Sequence, residues 1–182
     1  MLLDSTMTEV LPLRGELEGL SFSMKIRVGF GFDVHKFAEN RELWLGGIRL
    51  EHDRGLLGHS DADVLIHAIC DALLGAAHLR DIGYHFPDNA GEFKNIDSKI
   101  LLARTIELLA TKGYRVGNID ATVCAERPKL KAHIPLMQQT LADVMGIDEE
   151  DVTIKATTTE KLGFTGREEG ISAYATVLIE KD

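Results

Sequence analysis

Asp33 and His35, in the stretch VGFGFDVHKF (residues 28–37), set a carboxylate and an imidazole two positions apart at the end of a strand-like run. Residues two apart in an extended chain point the same way. Asp33 and His35 are therefore expected on one face with Gly29 and Gly31, leaving that face bare enough to admit a ligand. Ile26, Val28, Phe30 and Phe32 are expected on the other. His67 supplies a second imidazole, within DADVLIHAICDALLGAAH. On a helical wheel it lies opposite the stripe of Leu65, Ile69, Leu73 and Ala76. Asp63, one turn earlier, shares its face and is expected to accept a hydrogen bond from it. Two histidines and a carboxylate are the donor set of a zinc site with an open fourth position, whereas closed structural zinc sites are usually rich in Cys. A solvent-facing Asp63–His67 pair beside an unrelated D-x-H is equally compatible with this spacing, which leaves both readings open.

Three further stretches carry chemistry-bearing side chains. GLLGHSDADV puts His59 and Ser60 just before a helix start, where free N–H groups favour an anion. AERPKLKAHIP offers Lys129 and Lys131 at a strand-to-helix turn. KATTTEKLGFTGREEG presents three threonines at a strand end, and Glu160 is suited to a hard cation such as Mg²⁺. It lacks the G-x-x-x-x-G-K-[ST] of a phosphate-binding loop. Each stretch also reads as ordinary polar surface: a capped loop, solvated lysines, a turn.

The elements that must position these residues follow from periodicity. Residues 25–33 read as a strand and 43–50 as a second extended segment. The next helix has Ser60 or Asp61 as its N-cap. A loop, DIGYHFPDNAGEF, leads to a helix over about 98–112 ended by Gly113. A strand follows at 115–125, then a helix at 134–145 with Pro135 in its first turn and Gly146 beyond its end. DVTIKAT and ISAYATVLIE close the set as strands. Roughly four strands and three helices predict a two-layer α/β (α+β) sandwich, a mixed sheet with helices on one face. The other face keeps Tyr174 and Leu178, which implies burial by association.

The chain has 182 residues and a net charge of -9. One domain is expected over residues 24–182, preceded by an extension (1–23) that resembles neither a signal nor a transit peptide. The acidic balance argues against nucleic-acid binding, and no apolar run is long enough for a membrane span. The two cysteines, Cys70 and Cys124, have no metal-knuckle spacing and fit a reducing, cytoplasmic setting. His52, His78, His85 and His133 are read as loop or helix-end residues without a catalytic role.

Taken in order, GFDVH, GLLGHSDADVLIHAICDALLGAA, DIGYHFPD, KGYRVGNID, PKLKAHIP and KATTTEKLGFTGREEGI resemble the 2-C-methyl-D-erythritol 2,4-cyclodiphosphate synthase family, the ring-closing enzymes of the non-mevalonate isoprenoid pathway. The resemblance runs from about Met24 to Glu180 and implies a homotrimer with active sites between subunits. It implies Zn²⁺ on Asp33, His35 and His67, and a second cation, Mg²⁺ or Mn²⁺, near Glu160. His59 and Thr158 would stabilise the phosphates during reaction. Asp33, Val34, His35 and His59 would touch a cytidine diphosphate-linked substrate, and Ser60, Asp81, Ile82, Gly83, Phe86, Pro87, Asp88, Asn89 and Ala90 would surround its methylerythritol part. Ala125, Glu126, Arg127, Pro128, Lys129, Leu130 and Lys131, with Thr157, Thr158, Thr159 and Glu160, would hold its cytidine and diphosphate from the adjacent subunit. Phe164 and Arg167 would lie near the trimer axis, where a prenyl diphosphate can sit. Ala62 departs from the family in standing where a Gly is common. A zinc phosphodiester hydrolase and a non-catalytic trimeric binding protein are the rival readings.

Overall fold

Strand β1 (Lys25–Ala38) alternates in burial from Ile26 to Lys36, and its alternation sets the architecture. The computed structural model describes residues 24–87, 91 and 95–182, so expectations for 1–23 and for Asp88, Asn89 and Ala90 lie outside the described residues. Gly29 and Gly31 are buried while Val28, Phe30 and Phe32 on the opposite face are exposed. β1 continues five residues past the predicted end and pairs antiparallel with β7 (Gly170–Lys181) along nearly its whole length. β7 pairs antiparallel with β5 (Arg115–Cys124), and β5 runs parallel to β6 (Val152–Thr157). A two-residue strand, β4 (Gly55–Leu56), extends the other edge, giving a five-stranded mixed sheet in the order β4-β1-β7-β5-β6. The predicted extended segment 43–50 is instead a separate hairpin of β2 (Leu43–Leu45) and β3 (Ile48–Leu50), turned at Gly46 and Gly47 with φ of 61° and 77°.

Helix α1 (Val64–Ala76) packs across β1 and β7, with ten of its thirteen residues buried. Small residues permit this. A Cβ on Gly29 would lie 1.9 Å from the Ala72 carbonyl oxygen, and one on Gly31 would lie 2.0 Å from that of Ala68. The bare face is therefore filled by helix backbone and holds no free space. This corrects the expectation that it makes room for a ligand. α1 is flanked by α3 (Ser98–Thr111), and α4 (Ile134–Met145) covers β6. Short helices α2 (Ile82–His85) and α5 (Gly163–Gly166) lie within the two long loops.

The N-cap of α1 is Asp63, not Ser60 or Asp61. Its carboxylate accepts from the amides of Leu65 and Ile66, and also from Gly46 (2.9 Å) and Gly47 (2.7 Å) in the β2–β3 turn. It is fully buried and makes no side-chain contact with His67, so the expected Asp63–His67 pair does not form. Among the described residues, no helix is long and apolar enough to cross a membrane.

Candidate functional site

Asp33 and His35 leave the inner face of β1 just beyond the point where α1 presses on Gly31, and His67 descends from the first turns of α1 to meet them. Asp33 Oδ2 lies 3.0 Å from His35 Nε2 and 3.0 Å from His67 Nδ1, and the two imidazole nitrogens are 3.1 Å apart. Among the described residues this is the one group of three such side chains whose ligand atoms converge. Zinc keeps nitrogen and oxygen donors at about 2.0–2.1 Å, so tetrahedral donors stand roughly 3.3 Å apart. The observed triangle is that size within a few tenths of an ångström, and the donor types fit the ion.

Each donor is held from behind. The Val34 amide donates to Asp33 Oδ1 at 2.8 Å, and His35 Nδ1 lies 2.8 Å from the Leu57 carbonyl oxygen. The Val34 side chain itself is on the exposed outer face. His67 Nε2 lies 3.1 Å from both Ser60 Oγ and Ser98 Oγ. Burial pushes the Asp33 carboxyl up, but the imidazoles of His35 and His67 outweigh it and hold the group well below the usual carboxylate range. Burial pushes His35 down, and its hydrogen bond and charge attraction to Asp33 raise it above 6.5 overall.

These atoms open into a cleft of about 220 Å³ that His59, Ser60, Ile82, Gly83 and Phe86 also line. Asp81 sits at its edge as the N-cap of α2, accepting from the Tyr84 amide. Asp71, which sequence reasoning passed over, lines the cleft one turn beyond His67 and accepts the Ile82 amide at 2.8 Å. Burial raises its carboxyl above the ordinary value. The i, i+4 spacing of His67 and Asp71 was the available signal.

A second cleft, of about 310 Å³, is lined by Ala125, Pro128, Lys129, Leu130, Lys131, Thr157 and Thr158. It shares no lining residue with the first. Thr158 donates its hydroxyl to Glu160 at 2.6 Å. Glu126 does not line this cleft: its carboxylate accepts the amides of Thr159 (3.0 Å) and Lys161 (3.2 Å) and clasps the turn. Within that turn Glu160 and Lys161 take φ of 52° and 64°, a left-handed conformation costly for residues with a Cβ. The Lys161 amide, first, then burial and the Thr159 amide set the Glu126 carboxyl, which ends below its ordinary value. Glu160 stands apart from the Asp33 set, and a single carboxylate suits Mg²⁺ only if phosphate oxygens complete the shell. Arg127 is exposed, as are Phe164 and Arg167, which line neither cleft; Arg167 is paired with Glu169 at 2.8 Å.

Cys70 is fully buried in α1, its thiol pushed up to about 12 by desolvation, which agrees with a packing role. His85 is tied to the Leu79 carbonyl oxygen at 2.7 Å, and His52 stacks on Phe37.

Residues 26–180 match the model of the YgbB family. A Bacteroides thetaiotaomicron protein named 2-C-methyl-D-erythritol 2,4-cyclodiphosphate synthase is 85% identical over 159 residues, covering 87% of this chain and all of the relative. The synthase of the same name from Cytophaga hutchinsonii is 55% identical over 158 residues, 87% of this chain and 99% of the relative. Among solved structures, the bifunctional IspDF from Campylobacter jejuni superposes with a TM-score of 0.85 at 45% identity, covering 88% of this chain but only 43% of that longer one. The Plasmodium falciparum IspF–CDP complex gives 0.75 at 35% identity, over 86% of this chain and 97% of the other.

Proposed function

The chain belongs to the YgbB family of 2-C-methyl-D-erythritol 2,4-cyclodiphosphate synthases, and from that premise we propose that it converts 4-diphosphocytidyl-2-C-methyl-D-erythritol 2-phosphate into the 2,4-cyclodiphosphate with release of CMP. This is a phosphorus–oxygen lyase reaction of isoprenoid precursor synthesis, carried out in the cytoplasm. The observation that carries the reading is the convergence of Asp33, His35 and His67 in a cleft that also takes in His59.

An oxygen of the 2-phosphate bonds to the β-phosphorus, the bond from that phosphorus to the bridging oxygen breaks, and CMP leaves with the electron pair. The nucleophile is already ionised, so the step calls for no Ser or Cys nucleophile and no strong base. Its barrier lies in aligning two anions and stabilising charge at the transferring phosphorus. Zinc held by Asp33, His35 and His67, with Mg²⁺ or Mn²⁺ at Glu160, would supply positive charge to phosphate oxygens. His59 in the first cleft and Thr158 in the second would donate hydrogen bonds to the phosphates. Lys129 and Lys131 would draw the diphosphate toward the second cleft, and Ile82, Gly83 and Phe86 would bound the methylerythritol part.

Because the two clefts share no residue, the complete site is proposed to form where the first cleft of one copy faces the second cleft of its neighbour in a homotrimer. The outer face of the sheet supports this: Ile26, Val28, Phe30, Phe32 and Val34 form an exposed apolar row, Phe30 and Val28 being 66% accessible. Packed about a three-fold axis, that row would be covered, with Phe164 and Arg167 near a central space suited to a prenyl diphosphate. The test is turnover of the cytidylyl substrate with and without Zn²⁺ and Mg²⁺, read by phosphorus NMR. Metal-dependent appearance of CMP and a cyclic diphosphate is expected. A linear phosphate product, or tight binding without turnover, would overturn the proposal.

A further inference from the structure

The turn that carries Glu160 has a backbone its own residues disfavour. The Leu162 amide donates to the Thr159 carbonyl oxygen at 2.9 Å, and the two residues between, Glu160 and Lys161, take φ of 52° and 64°. Positive φ at both central positions is the pattern of a type I′ turn, which Gly, Asn and Asp populate. Glu and Lys enter it only against the steric demand of their Cβ atoms. Conformations of this kind persist where the surroundings over-determine them, and functional sites are where they gather.

Glu126 supplies that determination from a different loop. Its Oε1 accepts the Thr159 amide at 3.0 Å and the Lys161 amide at 3.2 Å, so one oxygen grips the backbone on either side of Glu160. β5 and β6 run parallel with Cys124 opposite Thr157, and the Ala125 amide donates to the Thr157 carbonyl oxygen at 3.0 Å. The chain therefore leaves both strands side by side. One exit runs on through Pro128, Lys129, Leu130 and Lys131, which line the second cleft. The other passes Thr157 and Thr158, which also line it, and enters the turn. Glu126 ties the two exits together just beyond the sheet. With the turn so held, the Glu160 side chain lies back against Thr158, whose hydroxyl donates to Glu160 Oε1 at 2.6 Å. Released from Glu126, Glu160 and Lys161 would relax toward negative φ, and the Glu160 carboxylate would leave Thr158.

We propose that Glu126 is a positioning residue: by clasping the strained turn it keeps Glu160 beside Thr158, where the carboxylate shares a divalent cation with a bound diphosphate. This rests on the reading above that Glu160 takes the second cation. It gives Glu126 a part in the reaction that needs no contact with substrate, in keeping with its absence from the lining of the cleft. What the clasp requires is an acceptor oxygen with two lone pairs at the right reach, and not a charge.

The test uses full-length, zinc-loaded protein, because zinc outcompetes Mn²⁺ for imidazole donors. The probe is CDP, the cytidine and diphosphate that the second cleft is proposed to hold. Electron paramagnetic resonance of free Mn²⁺ reads cation binding with CDP present, and calorimetry reads CDP binding without Mn²⁺. Glu126→Gln keeps a carbonyl oxygen with two lone pairs and should bind Mn²⁺ as wild type does. Glu126→Asp keeps the charge but falls one methylene short. It should weaken Mn²⁺ binding roughly 10- to 100-fold, as should Glu126→Ala. CDP affinity without the cation should stay within about threefold in every variant. Turnover of the cytidylyl substrate should follow the order of Mn²⁺ affinity. If Glu126→Ala does not fold, the Asp and Gln variants decide. Normal Mn²⁺ binding by the Asp variant with loss in the Gln variant would mean that charge matters, and would overturn the proposal. So would equal Mn²⁺ affinity in all the proteins, or a matching loss of CDP affinity, which marks direct substrate contact. A wild type that takes up no Mn²⁺ beside CDP would instead overturn the second-cation reading, and the proposal with it.

Discussion

The two faces of β1 are opposites in what they carry. Its inner face carries Gly29 and Gly31 and then Asp33 and His35; its outer face carries Ile26, Val28, Phe30, Phe32 and Val34. On the inner side the missing side chains let α1 come within a Cβ radius of the strand, and that approach brings His67 to Asp33 and His35. On the outer side large apolar groups stand exposed, and Phe32 and Tyr174 meet with ring centroids 5.0 Å apart. One strand therefore sets the site through what it omits and displays an exposed apolar row on its other face, the face proposed to associate.

The strongest way to break the inner face is Gly31→Val. Its Cβ would lie 2.0 Å from the Ala68 carbonyl oxygen and 2.7 Å from the Ala72 amide nitrogen, both backbone atoms that cannot swing aside. A loss of more than about 3 kcal/mol is expected, seen as insoluble protein or a large fall in the urea midpoint. Asp63→Ala comes next, since it strips the α1 cap and leaves the Gly46 and Gly47 amides without their acceptor. Urea unfolding should show a cost of about 2–4 kcal/mol.

On the outer face, Phe30→Asp should leave chain unfolding nearly unchanged and zinc content intact. Light scattering should show a monomer in place of the proposed trimer, and turnover should vanish. An active monomer would break the two-face account. The smallest effect concerns pH. Against the downward push of burial, contacts with Asp33 raise His35 above its ordinary value in the folded, metal-free chain. A zinc ion bound there would have to displace its proton over a pH window that reaches above the ordinary imidazole range. Zinc affinity should fall as pH drops through this window and level off once His35 is neutral, a profile that titration calorimetry reads directly.

The alternation of β1, the helix carrying His67 and the caps Gly113 and Gly146 were legible because each is a local pattern of period two or 3.6, or a turn preference. The role of Gly29 and Gly31 was not. Sequence shows a bare strand face but not which element fills it, so space read as a ligand's belongs to Ala68 and Ala72. Asp63 was misplaced for the same reason: Ser60 and Asp61 were the expected N-caps, and the partners that hold Asp63 there, Gly46 and Gly47, lie 17 and 16 residues away. Ser98 looked like part of a helix start because its partner Asp61 is 37 residues earlier. The Asp33–His35–His67 set was expected from the family resemblance, and spacing alone left it undecided. Glu126, expected as a substrate contact from the resemblance, also holds the Thr159–Lys161 turn through its carboxylate, a role its sequence position does not show.

Zinc content per chain, measured by elemental analysis on wild type and His67→Ala purified side by side, tests the central claim most directly. The geometry predicts about one zinc per wild-type chain and almost none in the variant, with the fold of both intact by circular dichroism. Equal zinc in the two would contradict it, because the Asp33–His35–His67 triangle would then not be the metal site.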